Sequence, residues 1–227
     1  MEEIILVLYQ YKNRTYKEST YTHIAEILLK NINQIQYYSL EKIAQSCHVS
    51  IASINRFMKE IGYGNYSNFR HIFRITPTNS FKIKHFNDAI NSQEFYLYSA
   101  FASLLHASNK IVLNGYGLIQ LYHQKLQYNL TYLGKLSDVY YQTIEQKEQI
   151  HLLTSNDLLI ITSLEGKYFE YPSLLEDIKI CKAKKILITK SFTKFNHYFD
   201  LIIPITLSLL DCYEKITYYY SSLINYE

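Results

Sequence analysis

The sequence predicts a two-part chain: an all-α head built on a helix-turn-helix, then an α/β domain with a doubly wound, five-stranded parallel sheet. Two observations carry this. Residues 39–61 hold two short amphipathic helices around a three-residue break, Cys47-His48-Val49. Beyond Pro77, five short apolar runs alternate with helical segments, the pattern of a parallel sheet covered on both faces.

The first seventy-five residues read as helix throughout. Thr22–Asn31 places Ile24, Ala25, Ile27, Leu28 and Leu29 at helical spacing and would support the pair that follows. Ser39 is a suitable N-cap, with Leu40, Ile43, Ala44 and Cys47 on one face behind it. Ser50 caps the second helix, whose apolar stripe is Ile54, Phe57 and Met58 and whose end is Gly62. Ala44 is small where two helices must cross closely. His48 occupies the turn position that favours glycine, so a positive φ is expected there. Tyr66–Ile75 gives one more amphipathic helix, with Arg70 and Arg74 four apart on one face.

A polar stretch around Pro77 marks a linker, placed at 76–86 between a head of residues 1–75 and a second domain of residues 87–227. Asn87–Ser108 reads as a long helix. The expected strands are Lys110–Asn114, Asp138–Tyr141, Asp157–Thr162, Lys185–Thr189 and Asp200–Ile205, in the order 2-1-3-4-5.

Charge separates the two parts. Residues 1–75 hold nine Lys and Arg against six Asp and Glu, while the remainder is balanced at fourteen each. All four arginines, Arg14, Arg56, Arg70 and Arg74, lie in the first third, and arginine suits bidentate contacts with guanine and phosphate. Double-stranded DNA is therefore the expected partner of the head. Ile51, Ala52, Asn55, Arg56 and Lys59 should face outward on the second helix, with Asn55 and Arg56 as base readers. Ser39, Ser50, Ser53, Lys59, Arg70 and Arg74 would mainly hold the phosphate backbone. Paired half-sites call for a homodimer or homotetramer.

Three cysteines without CxxC spacing argue against a disulfide framework or a zinc ribbon. No helical pair of metal-ligand spacing and no Ser/His/Asp arrangement is legible, so no catalytic residue, metal or cofactor is expected. The apolar run Ile4–Leu8 is too short for a secretory signal, and Leu201–Leu210 is broken by Pro204, which predicts a soluble cytoplasmic protein without membrane contact.

In the second part, the strand ends flanking the switch point run into Asn114-Gly115-Tyr116-Gly117 and Ser163-Leu164-Glu165-Gly166-Lys167. Each loop puts glycine just before a helix, where backbone N–H groups can hold an anion. Thr189-Lys190-Ser191 adds hydroxyls and a cation from the fourth strand. The expected effector site is thus Asn114, Gly115, Gly117, Ser163, Glu165, Gly166, Lys167, Thr189 and Ser191.

The whole pattern resembles the RpiR/MurR transcriptional regulators. Ile43-Ala44, Val49-Ser50, Ala52-Ser53, Arg56-Phe57 and Ile61-Gly62-Tyr63 fall where that family has similar residues. The resemblance implies a flavodoxin-like sugar-isomerase (SIS) domain in the second half, a phosphosugar effector and control of carbohydrate genes. The loops depart from the family's pattern. Ile119 replaces a serine after the Gly115/Gly117 pair, and Glu165 and Tyr168 replace two hydroxyls after the third strand, while Ser163, Gly166, Thr189 and Ser191 match. Two further readings follow: a SIS-type sugar-phosphate isomerase with Glu165 as base, or a regulator whose second domain only dimerises.

Overall fold

The computed structural model describes residues 2–14, 19–75, 83, 86, 92–190, 194–206 and 208–225. Contacts divide the chain into two compact units, Met1–Lys82 and Ile83–Glu227. Apart from Ile83 and Phe86, the expected linker lies outside the described residues, as do residues 87–91 of the expected long helix.

The first unit holds five helices: α1 (Glu2–Arg14), α2 (Thr20–Lys30), α3 (Leu40–Ser46), α4 (Ile51–Glu60) and α5 (Tyr66–Ile75), with a 3-10 turn at Ile32–Tyr37. Side-chain caps start three of them: Ser19 accepts from Thr22 N, Ser39 from Lys42 N and Ser50 from Ser53 N, each at 3.1 Å. The core collects Ile5 and Leu8 of α1, Ile24 and Leu28 of α2, Ile43 and Ala44 of α3, and Ile54, Phe57 and Met58 of α4. Phe57 is the hub, with Tyr11 edge-on at 5.4 Å and Tyr21 tilted at 5.3 Å.

The ends of α3 and α4 share one device. After α3, Val49 N donates to Ala44 O and His48 N to Gln45 O, both at 3.0 Å, with His48 left-handed at φ 52°. After α4, Tyr63 N donates to Met58 O at 2.8 Å and Gly62 N to Lys59 O at 3.1 Å, with Gly62 at φ 87°. These are paired bonds that satisfy orphan helix carbonyls through one left-handed residue. Among the described residues, His48 is the one non-glycine with positive φ, as the turn position predicts.

The second unit has α6 (Ser92–Ala107), β1 (Ile111–Asn114), α7 (Leu118–Tyr132), β2 (Asp138–Val139), α8 (Thr143–Leu152), β3 (Leu158–Thr162), α9 (Pro172–Ile180), β4 (Lys184–Thr189), β5 (Leu201–Pro204) and α10 (Leu209–Ile224). All strand pairings are parallel and the order is β2-β1-β3-β4-β5, as expected. Strand residues alternate between two cores. Ile111, Leu113, Leu158, Ile160, Ile186 and Ile188 pack under α6, α7 and α10. Val112, Leu159, Ile161 and Leu187 pack under α8 and α9. Pro204 sits on edge strand β5, where a missing N–H is tolerated. The sequence reading did not single out α10, although Ser208 caps it and Leu209, Cys212, Tyr213, Ile216, Tyr219 and Tyr220 form its buried face.

His48→Gly is expected to stabilise the head by about 0.5–1 kcal/mol. The left-handed conformation costs an L-residue roughly 1–2 kcal/mol, of which glycine returns part as unfolded-state entropy. Slower hydrogen exchange of the α3 and α4 amides in the full chain is the readout, and Gly62→Ala should speed it.

Candidate nucleic-acid interface and switch-point crevice

The α3–α4 pair leaves one outward face. With Ile54, Phe57 and Met58 buried, Ile51 (43% exposed), Ala52, Arg56 and Lys59 look to solvent. Arg56 lies back along its own helix, Nε donating to Ala52 O at 3.4 Å. Ser39 and Ser50 are exposed but act as caps, and Ser53 is half-buried with its hydroxyl 2.9 Å from that of Ser50.

Three expected contact residues are occupied inside the fold. Asn55 is half-buried and its Oδ1 accepts from Tyr66 N at 3.3 Å, tying α4 to the first turn of α5. Arg70, half-buried, donates through Nη1 to Tyr38 O at 3.0 Å, and Arg74 through Nε to Gln36 O at 3.5 Å. Carbonyls at the end of a short 3-10 turn lack intrahelical partners, so the two arginines brace this turn against α5 and do not form a ready clamp. Tyr66 adds its hydroxyl to the same Tyr38 carbonyl at 3.3 Å. Lys42, exposed in the first turn of α3 beside Ser39, was not among the expected contacts. Its signal is a cation three residues after the cap, where a capping box would have Glu or Gln.

In the second unit, β1, β3 and β4 bring Asn114, Ser163 and Thr189 to neighbouring strand ends, and all three are buried. Ser191 lies outside the described residues. Gly115 is held by packing: a Cβ there would stand 2.6 Å from Ile119 Cγ2 and 3.0 Å from His123 Cε1. Gly117 is required by its backbone, φ 61° and ψ −131°, at the cap of α7. Gly166, at φ 78°, starts the 3-10 turn Lys167–Glu170. Glu165 and Lys167 pair with each other at 3.0 Å and are 70% and 73% exposed, so neither enters the crevice.

The crevice itself is occupied by the chain. Tyr168 is buried, its hydroxyl donating to Gln146 Oε1 at 2.9 Å and its backbone N–H to Ser163 Oγ at 3.2 Å. Burial pushes its phenol well above the ordinary tyrosine range. Gln146 Nε2 donates to Gly115 O at 3.0 Å and Tyr140 O at 2.9 Å. Asn114 is fully buried beside Tyr168, and neither atom of its amide completes a hydrogen bond of good geometry. Beneath lies a second buried network: His123 Nε2 is 3.1 Å from Thr162 Oγ1, which is 3.0 Å from the Tyr213 hydroxyl. Burial drives His123 down to about 3. Sequence spacing gave no signal for Gln146 or His123, since their partners lie 22 to 39 residues away.

Among the described residues no group of three or more His, Cys, Asp or Glu could hold a metal ion, and no helix is long and apolar enough to cross a membrane.

A capped helix, a left-handed turn and an exposed second helix define the DNA-reading helix-turn-helix class. Residues 9–76 match the helix-turn-helix domain of the rpiR family, and in its head the chain belongs to that family. No curated protein matches the chain. An E. coli CFT073 protein, c3406, in complex with arabinose 5-phosphate is 17% identical, with a TM-score of 0.51 over 59% of this chain and 80% of that one, which shows a shared fold for the second unit. The Vibrio vulnificus NanR protein complexed with ManNAc-6P is 16% identical over 97% of this chain and 90% of that one, at a TM-score of 0.44. The sugar isomerase domain of an RpiR transcription factor from Sphaerobacter thermophilus is 14% identical over 58% of this chain and 79% of that one, at 0.47.

His123 makes stability depend on pH. Its folded value, about 3, is below the unfolded value near 6.5, so the unfolded state binds the extra proton between them and stability falls as pH drops through that window. Urea unfolding at pH 7, 6 and 5 should show His123→Gln losing less stability per pH unit than the wild type, by about 1.4 kcal/mol.

Proposed function

We propose that this chain is a DNA-binding transcriptional regulator of the RpiR type that controls genes of carbohydrate or phosphosugar metabolism. Residues 1–75 form its DNA-binding domain, 76–86 its linker and 87–227 its SIS-like domain for effector sensing or dimerisation. It acts in the cytoplasm as a homodimer or homotetramer, because operator half-sites one helical turn apart need paired recognition helices. It has no catalytic function of its own.

One observation carries the reading: the outward face of α4, Ile51, Ala52, Arg56 and Lys59, sits on a turn closed by left-handed His48, within a segment matching the rpiR helix-turn-helix. Arg56 is the base reader, since its guanidinium fork fits the O6 and N7 edge of guanine. Ile51 and Ala52 present apolar surface suited to a thymine methyl. Ser39, Lys42 and Lys59 hold phosphates, joined by the exposed Arg74. Asn55 and Arg70 support this surface from within.

Fluorescence anisotropy with DNA from the gene's own promoter region tests the reading. The full chain should bind in a salt-sensitive manner. Arg56→Ala should weaken binding about 10–100-fold, the roughly 1–3 kcal/mol of a bidentate base contact. Lys59→Ala should weaken it on all sequences and lower the salt slope by about 1. Salt-insensitive binding, or affinity untouched by Arg56→Ala, would reject α4 as the recognition helix.

A further inference from the structure

An open sheet in the order 2-1-3-4-5 reverses direction between β1 and β3, and small ligands sit in the crevice outside the carboxyl ends of those two strands. Here that space is filled from within. Tyr168 comes from the loop after β3 and is 2% exposed. Its ring stacks at 4.9 Å and 27° on Tyr116, from the loop after β1, and Tyr171 covers Tyr116 at 5.4 Å. The Tyr168 hydroxyl reaches Gln146, whose amide in turn holds the carbonyls of Gly115 after β1 and Tyr140 after β2. One side chain thus joins the ends of three strands.

The groups that would greet a polyol phosphate already have partners inside the chain. Ser163 Oγ accepts from the Tyr168 amide, the Gly115 carbonyl accepts from Gln120 and Gln146, and Lys167 is paired with Glu165 in solvent. A ligand would have to expel a buried aromatic ring and break its bond to Gln146. Its apparent affinity falls in proportion to the rarity of that opened state.

We infer that Tyr168 is the resident occupant of the switch-point crevice, a built-in stopper that fixes the loops after β1, β2 and β3 in one arrangement without a small molecule. Sugar phosphates therefore do not set the state of the second unit. The inference refines the effector part of the proposed function and is independent of whether α4 reads DNA.

The test is thermal unfolding of the full chain with arabinose 5-phosphate, ManNAc-6P or inorganic phosphate at millimolar concentration, without DNA. The wild type should show no rise in Tm with any of the three. A concentration-dependent rise of several degrees with either sugar phosphate overturns the inference, whatever the DNA-binding result. Tyr168→Ala should lower Tm and open a slot for a planar phenol, so that p-cresol raises the variant's Tm and leaves the wild type unchanged. A folded Tyr168→Ala that ignores p-cresol, or that is as stable as the wild type, also overturns it. If that variant fails to fold, Tyr168→Phe, which keeps the ring and gives up the Gln146 bond, replaces it. It should fold and stay silent to all three phosphates, and a Tm rise with a sugar phosphate would count against the stopper.

Discussion

The geometry of the head depends on one left-handed backbone position. Helix α3 must stop, turn and hand the chain to α4 within three residues, and the carbonyls of Ala44 and Gln45 must still find donors. With His48 at φ 52°, its own N–H and that of Val49 supply both. Ser50 then restarts the helix at once by capping Ser53 N. The short turn allows Ile43 and Ala44 to meet Ile54 and Phe57, and Ile51, Ala52, Arg56 and Lys59 are what remain outside. The functional face of α4 is thus set by the residues it buries.

In the second unit the constraint is the satisfaction of backbone groups at strand ends. Strands covered on both faces cannot send their last carbonyls or first amides to water, so side chains serve them. Asp157 illustrates this before β3: Oδ1 accepts from Lys110 N at 3.1 Å, and Oδ2 from Thr154 N and Thr154 Oγ1, each at 2.7 Å. Asp200 does the same before β5, accepting from Lys185 N at 2.8 Å. Gln146 and Gln120 perform the task at the opposite end of the sheet. The crevice there is closed because the same amides that complete the strand ends also anchor Tyr168.

Local rules made much of this legible. The caps at Ser39 and Ser50, the positive φ at His48 and the five strands in their order all follow from short-range spacing and residue type. The departures come from partners far along the chain. That Arg70 and Arg74 share a helical face is visible at i, i+4 spacing, but the carbonyls of Tyr38 and Gln36 that engage them lie 32 and 38 residues away. Asn55 is polar and adjacent to Arg56, yet the start of α5 eleven residues later takes its oxygen. At position 168 the sequence shows only that a hydroxyl has become a tyrosine. That the ring turns inward depends on Gln146 and Tyr116, which no spacing rule connects to it.

The same chemistry therefore takes opposite roles according to whether a backbone carbonyl lies within reach. A guanidinium near an orphan carbonyl becomes structural, as Arg70 does, because an unpaired buried acceptor costs more than a solvated cation gains from staying free. Arg56 has no such carbonyl across from it in the described fold and only the long bond to Ala52 on its own helix. That bond is weak enough for a guanine edge to replace, since two short charge-assisted bonds outweigh one at 3.4 Å. Position relative to unmet backbone groups separates the arginine that reads from the arginines that brace.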